Sequence, residues 1–504
     1  MRNMWLFPFF VALYFVSTSA YSADHEGVVE IKSDDDIVIG FVHEFHPDEG
    51  PVRSDAPPIV FVPGFEVPGF EESDENADPG TEERGQQLIR KVALGVTPIN
   101  QDLSDIKAIE ELADREGFRV FVVEFVDNNQ SVVKNSLVLE RYLTSGETGP
   151  AQSYMNDGTR GVVIGFSMGG IIARHALTKL EHEGRDHHTS LYVSLDSPHR
   201  GAFLPSSLEI VTRTLLDEAG DFLWGNIFNL NGLEKRLRKG VQALESEAAK
   251  ELLGLHIGGN GADISDNFYL LNRLNDISAD YLKAAHPSHH SLRSSIALMG
   301  SLPLNLRSVA IAHGSVNGFP LHANAQSRNG NHFLTLRAKV EGLDDVINID
   351  FKNDAVSVRK SQCYVRVWTD KHVCPRYQAP SELANVISSP GSFTTALREV
   401  DEEFDETDDV VGVTFHANMT AGEGLTTFVP TISALDINTL DWFASANELT
   451  NLSPFDQVYA NFDTNTQHEV LSNELYADLV GEIMTTESTR IAKRNRIAAV
   501  IGAL

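Results

Sequence analysis

Ser167, inside Gly165-Phe-Ser-Met-Gly169, is the residue whose surroundings are most plainly chemical. A serine hydroxyl is a weak nucleophile by itself and needs a base beside it and donors for the oxyanion that its attack creates. Gly-x-Ser-x-Gly is the nucleophile-elbow pattern, and it acquires meaning when a strand precedes it and a helix follows. Both are present. Val162, Val163 and Ile164 read as a short buried strand bounded by Gly161 and Gly165, and Met168 to Leu180 reads as a helix with Ile171, Ile172, Ala176 and Leu177 on one stripe. A serine on so sharp a turn takes strained dihedrals, so its flanking residues must be small. The Met168 amide then stands at a helix N-terminus, where developing negative charge is stabilised.

The elements that must position this serine alternate along the chain. Residues 28 to 45 hold two runs expected to pair as antiparallel edge strands around the polar turn Ser33 to Asp36. Pro57 to Val62 is a buried strand broken by Pro63-Gly64, and the glycine-containing turn after it can offer a second oxyanion amide, from Phe65 with Glu66 as the alternative. Residues 71 to 84 read as an acidic loop. Ser104 caps a predicted helix that Gly117 ends, with Ile106, Ile109 and Ala113 on one face. Phe118 to Phe125 is the next strand and Val132 to Leu143 the next helix. Leu191 to Leu195 is a strand ending in Asp196-Ser-Pro-His-Arg-Gly201. Strands alternating with helices predict a mostly parallel sheet with helices on both faces.

The rhythm then breaks. Residues 202 to 290 are mostly helical with an apolar opening, Ala202-Phe-Leu-Pro, and are expected to roof the site as a cap or lid. Leu306 to Ala312 restores the sheet and runs into His313-Gly-Ser-Val-Asn-Gly318. Residues 332 to 374 alternate as strands and read as a β-hairpin insertion, with Cys363 and Cys374 as a local disulfide in an exported protein. Glu399 to Asp409 is a second acidic stretch. Phe428 to Leu435 is expected to open a helix, Phe455 to Ala460 to be the last sheet strand, and Asn473 to about Thr485 to be the closing helix.

This divides the chain into a signal peptide (1–22), a first core part with the elbow (23–201), a helical cap (202–300), a core strand (301–331), a β-rich insertion (332–420) and a last core part (421–504). The signal peptide rests on Arg2, the apolar run Trp5 to Val16, which is too short to span a bilayer, and the small residues Ser17 to Ala20. It implies a secreted or periplasmic protein, and no later run is long and apolar enough for stable membrane insertion. The formal charge of −31 excludes nucleic acid and anionic membranes as main partners. No residue pattern speaks to oligomeric state.

Gly165-Phe-Ser-Met-Gly-Gly170 together with Asp196-Ser-Pro-His-Arg-Gly201 resembles the secreted serine esterases and lipases of the α/β-hydrolase superfamily, and more narrowly the serine esterases related to bacterial lipases and GPI-inositol deacylases. Val62-Pro-Gly-Phe65, Val309 to Ala312, Val429 to Ala434 and Asn465-Thr-Gln-His468 follow in the matching order. The resemblance implies an α/β-hydrolase fold and hydrolysis of a small-molecule or lipid carboxylic ester through an acyl-enzyme on Ser167. Neither a metal nor an organic cofactor is called for. His468 would be the base, in a loop after the last strand, with His313 as runner-up. Phe65 and Met168 would form the oxyanion hole.

The acid has three candidates, Asp196, Asp436 and Asp456, since Asn317-Gly318 and Thr426-Thr427 occupy the places where such enzymes often carry it. Asp196 is preferred because it ends its strand at the sheet's carboxyl edge, one position beyond the elbow strand, an arrangement resembling pancreatic-type lipases. Pro63-Gly64 also stands where lipases commonly have His-Gly. The alternative function is a catalytically degenerate α/β-hydrolase-fold binding protein.

Overall fold

The computed structural model describes residues 23–48, 50–53, 56–65, 77–95, 107–145, 160–204, 239–254, 285–321, 386, 389–394, 426–439 and 441–485, and the backbone of strands between 331 and 378 and of 413–418. The expected signal peptide, Glu66, Ser104, Ile106, Cys374 and most of the expected cap lie outside them.

Eight strands form the central sheet: β1 (Asp24–Lys32), β2 (Val38–His46), β3 (Ile59–Val62), β5 (Val120–Phe125), β6 (Gly161–Phe166), β7 (Thr189–Leu195), β8 (Arg307–Ser315) and β17 (Gln457–Asn461). Their spatial order is β1-β2-β5-β3-β6-β7-β8-β17. β2 runs antiparallel to both neighbours, and every other adjacent pair is parallel. The edge hairpin expected over 28 to 45 is therefore present, closed at Ser33, whose carbonyl accepts from the Asp36 amide. A short pair, β4 (Ala93–Leu94) and β18 (Val470–Leu471), stands apart from the large sheet.

Central strands that are apolar at every position must be covered on both sides. Ile59 and Phe61 of β3, Val120 and Val122 of β5, Val162 and Ile164 of β6 and Leu191 and Val193 of β7 feed one core. Helices α1 (Glu82–Ile89) and α2 (Ala108–Asp114) and the closing helix, helical over 473–485, pack there. The alternate residues, Val60, Val62, Phe121, Val123, Val163 and Tyr192, feed the opposite core under α3 (Val132–Thr144) and α4 (Met168–His182). Side chains of period two on flat strands make this division automatic.

The described parts of the expected cap dock on the second core. Helix α5 (Glu247–Leu252) gives its Glu251 carboxylate to the Val132 amide at the start of α3 (2.6 Å), and α6 (Pro287–Leu298) holds the Glu251 carbonyl through His289 Nδ1 (2.6 Å). The β-rich insertion forms its own sheet, order β12-β11-β10-β9-β15, with β9 (Asn331–Val340), β10 (Ile347–Asn353), β11 (Ser357–Arg366), β12 (Thr369–Val373) and β15 (Val413–Asn418); β13 (Arg376–Gln378) pairs β11. β11 and β12 are an antiparallel hairpin with Cys363 opposite His372.

Two readings need correction. Residues 82–84, read as the end of an acidic loop, instead open α1, capped by Thr81 Oγ1, which accepts from the Arg84 amide. Phe428 does not begin a helix: β16 (Thr426–Pro430) pairs antiparallel with β14 (Gly391–Thr394), and the helix after it, α7 (Thr431–Ala434), is one turn. Pro430 is the cause, since a residue preceding proline is pushed out of the helical region.

Candidate active site

The carboxyl ends of β3, β6, β7, β8 and β17 meet at one sheet edge. Gly165 pairs with Val62, Phe166 with Leu195, and Leu195 with Ile311. Residues just past these pairs are therefore neighbours: Gly64 and Phe65, Ser167, Asp196, and His313.

Ser167 has φ 53° and ψ −124°, a region that L-residues rarely enter. The turn is held by the Ser167 amide, which donates to Leu195 O (2.9 Å), and by the Gly170 amide, which donates to Ser167 O (3.1 Å). The flanking glycines follow from packing. A Cβ at Gly169 would run into the Val62 carbonyl, and one at Gly165 into the Gly169 carbonyl. Either would push the elbow off the sheet.

Asp196 is fully buried, also at positive φ (44°), with its amide bonded to Ile311 O (2.7 Å). One carboxylate oxygen, Oδ1, accepts the His313 backbone amide (2.9 Å), and Oδ2 accepts His468 Nδ1–H at 2.6 Å. Burial raises the cost of its charge. His313, the hydrogen bonds from His468 and Ser392 and the His468 charge outweigh that, and hold the carboxyl below its usual range.

The His468 loop is tied down on two sides. Thr466 donates its amide and hydroxyl to His313 O (both 3.1 Å), and the His468 amide donates to Phe393 O of β14 (3.0 Å). Its ring stacks on Phe166, the residue before Ser167 (centroids 4.8 Å apart), and meets Phe428 edge-on at 4.8 Å. With Nδ1 committed to Asp196, the neutral ring carries its lone pair on Nε2. That nitrogen is buried and has no hydrogen-bond partner among the described residues.

The other candidates are engaged elsewhere. His313 is inside β8, since that strand runs on to Ser315, and its ring Nδ1 donates to the His468 carbonyl (2.8 Å) while standing 3.9 Å from Asp196 Oδ2. The runner-up base is thus a strut beneath His468, and burial lowers its pKa despite the opposing pull of Asp196. Asp436, just past α7, pairs with Arg174 (2.9 Å) and Arg200 (3.7 Å). Asp456 accepts from the amide and hydroxyl of Ser308, at the opposite edge of the sheet.

The turn after β3 comes close to the serine: a Cβ on Gly64 would lie 2.9 Å from Ser167 Cβ. Asn128 Nδ2 holds the Gly64 carbonyl (3.2 Å). In a trans peptide the C=O and the next N–H point in opposite directions, so that bond aims the Phe65 amide away from Asn128. Neither the Phe65 nor the Met168 amide donates a backbone hydrogen bond among the described residues. Among those residues there is also no group of three His, Cys, Asp or Glu side chains suited to a metal ion.

Sequence reasoning missed Ser392, whose hydroxyl lies 3.4 Å from His468 Nδ1, together with the aromatic bracket of Phe166 and Phe428 and the anchoring Asn128. Only Phe166 carried a local signal, as the residue inside the elbow motif.

Set against known proteins, the chain matches no family model and no curated sequence. Solved structures similar to it include esterase Est22, at 15% identity over 37% of this chain and 48% of that one, TM-score 0.23. A Pyrobaculum calidifontis esterase matches at 12% identity over 57% and 67%, TM-score 0.27. Brefeldin A esterase, a bacterial homologue of human hormone-sensitive lipase, matches at 13% over 58% and 70%, TM-score 0.26. The chain thus spans about half of Est22's length. The strand order with its single antiparallel member, the helices on both faces and the serine elbow after β6 together give this chain the α/β-hydrolase fold.

Proposed function

We propose that the protein is a serine hydrolase that cleaves carboxylic esters through an acyl-enzyme on Ser167. One observation carries the reading: an elbow serine at φ 53° directly follows Phe166, whose ring stacks on a histidine with its Nδ1 bonded to a buried carboxylate at 2.6 Å. His468 Nε2 takes the Ser167 proton as Oγ attacks the acyl carbon, and the Phe65 and Met168 amides hold the resulting oxyanion. The same nitrogen returns the proton to the departing alkoxide, then activates the water that frees the acid. Asp196 keeps the ring in the tautomer this needs. Arg2 and the apolar run to Val16 support export as well.

The rival reading, a binding protein on a degenerate hydrolase fold, draws its support from the displaced acid, and the Asp196 contact with His468 weighs against it. A fluorophosphonate probe tests the choice. Labelling is expected in the intact protein and absent in Ser167→Ala, with hydrolysis of short p-nitrophenyl esters down by on the order of a millionfold. Retention of more than a few per cent of the activity in Ser167→Ala would remove the serine from its role.

A further inference from the structure

A cavity of about 330 Å³ opens between α4 and α6. Its wall includes Arg174, His199, His289, His290, Arg293 and Asp436, and it does not include Ser167. A volume of this order is at the small end of the range for ligand cavities.

The charges around it do not balance. Arg174 is buried and fully engaged: Nε donates to Ser301 O (2.6 Å), Nη1 to His199 Nδ1 (3.0 Å), and Nη2 pairs with Asp436 (2.9 Å). Arg200 shares that carboxylate at 3.7 Å and donates to Asn438 Oδ1 (2.8 Å). Arg293, half-buried on α6, has neither an ion pair nor a hydrogen bond among the described residues. Three guanidiniums, Arg174 and Arg293 at the wall and Arg200 behind it, therefore stand against two carboxylates, Asp436 and Glu251, in a protein with a formal charge of −31. The second acid at the wall, Glu251, spends its Oε2 on the Val132 amide.

The histidines report the same field. Burial, then the charges of Arg174 and Arg293, hold His199 well below its ordinary pKa; its Nδ1 accepts from Arg174 while Nε2 donates to Ser194 Oγ (2.7 Å). His289 is lowered to about 4, by burial first and by Arg293 and Arg200 among its neighbours. Its Nδ1–H is used by the Glu251 carbonyl. His289 and His290 also stand in the first turn of α6, whose exposed amides add to the positive potential.

We infer that this cavity is a binding site for a small oxyanion, a phosphate or carboxylate group, with Arg293 as its principal ligand and the Arg174–Arg200 pair behind it. Guanidinium groups bind such oxyanions through paired, charge-assisted hydrogen bonds, and an unpaired one at a half-buried position is the free half of such a pair. The site is separate from the ester-cleaving one and does not rest on it. Arg174 on the elbow helix and Arg200 four residues past Asp196 nonetheless connect it to the two elements that position Ser167 and Asp196.

Calorimetric titration of the full chain with inorganic phosphate and, separately, with acetate, at constant ionic strength set by sodium chloride, tests the site. Saturable uptake of one of them is expected, weakened at least tenfold in Arg293→Gln and less severely in Arg293→Lys, which keeps the charge but not the paired hydrogen bonds. Tighter phosphate uptake marks a phosphate-bearing ligand and tighter acetate uptake a carboxylate. Arg293→Gln should melt no lower than the parent without ligand, because it loses no hydrogen bond and relieves repulsion. Absence of saturable uptake of both anions, or uptake unmoved in Arg293→Gln, would overturn the proposal.

Discussion

Asp196→Asn is the most informative single change, because the surrounding hydrogen bonds dictate how the new amide must sit. Oδ1 of Asp196 accepts the His313 backbone N–H at 2.9 Å, and that donor cannot turn away because it belongs to β8. The amide oxygen must take this place, since an NH₂ there would oppose a second donor. The NH₂ is then aimed at His468 Nδ1, where Oδ2 now accepts at 2.6 Å. Nδ1 is forced to accept, the ring proton moves to Nε2, and the ring loses the lone pair that takes the serine proton. Loss of the working tautomer costs about 10⁴-fold in turnover, or ~5.4 kcal/mol at ~1.36 kcal/mol per decade. The assay is kcat and KM for p-nitrophenyl butyrate from pH 6 to 9, with thermal melting beside it to show a folded protein. KM should change little. An Asp196→Asn enzyme within tenfold of the parent, with Asp436→Asn or Asp456→Asn collapsing instead, would refute the assignment of the acid and the orientation argument together.

Two further outcomes are expected. Asn128→Ala should lower kcat by about tenfold with KM nearly constant, because the Phe65 amide is needed most in the transition state and loses its anchor through Gly64; a raised KM at constant kcat would place Asn128 in substrate binding instead. Burial, reinforced by Lys179, holds the His175 pKa at about 4, so the unfolded chain takes up a proton below 6.5 that the folded chain refuses until about 4. Stability should therefore fall as pH drops from 6.5 to 4, by up to ~3 kcal/mol from this residue, and then level off. In His175→Asn the melting temperature should depend less steeply on pH in that window, and an unchanged slope would count against it.

What could be read in the sequence follows from how local each signal is. The elbow was legible because strand, strained serine, small flanks and helix are contiguous from Gly161 to Leu180. The fold class was legible from the same alternation of buried strands and amphipathic helices. Asp196 could be preferred over its rivals by counting residues to the sheet edge, and it and His468, named for separate reasons 272 positions apart, are in contact. Other features carry no local pattern. Helix α1 holds only two large apolar residues, Leu88 and Ile89, so it lacks a readable period, and its start is fixed by Thr81 and by Glu124, which accepts the Gly80 amide (2.9 Å). β14 is four residues whose partner lies beyond a long insertion, so Ser392 and the Phe393 carbonyl could not be connected with His468. Pro430 marked an end to extended chain that the apolar run around it disguised as a helix.

Seating the carboxylate at the end of β7 has an architectural effect on the rest of the chain. The bend after β8 is relieved of supplying a charged group, and the path from Val316 to Asp456 meets the histidine loop where it returns as β14 and β16, before α7. A second five-strand ladder with a short sixth strand, β13, at its side hangs from that stretch while both ends stay stitched to the first sheet, Val316 N to Asn461 O at 2.7 Å and Asn465 Oδ1 to the Ser315 and Gly391 amides. That makes the stretch a modular port: among the described residues the ladder of 331–378 and 413–418 pairs within itself and with none of the central strands, so it can vary as a unit without breaking a strand pair of the sheet that carries Asp196.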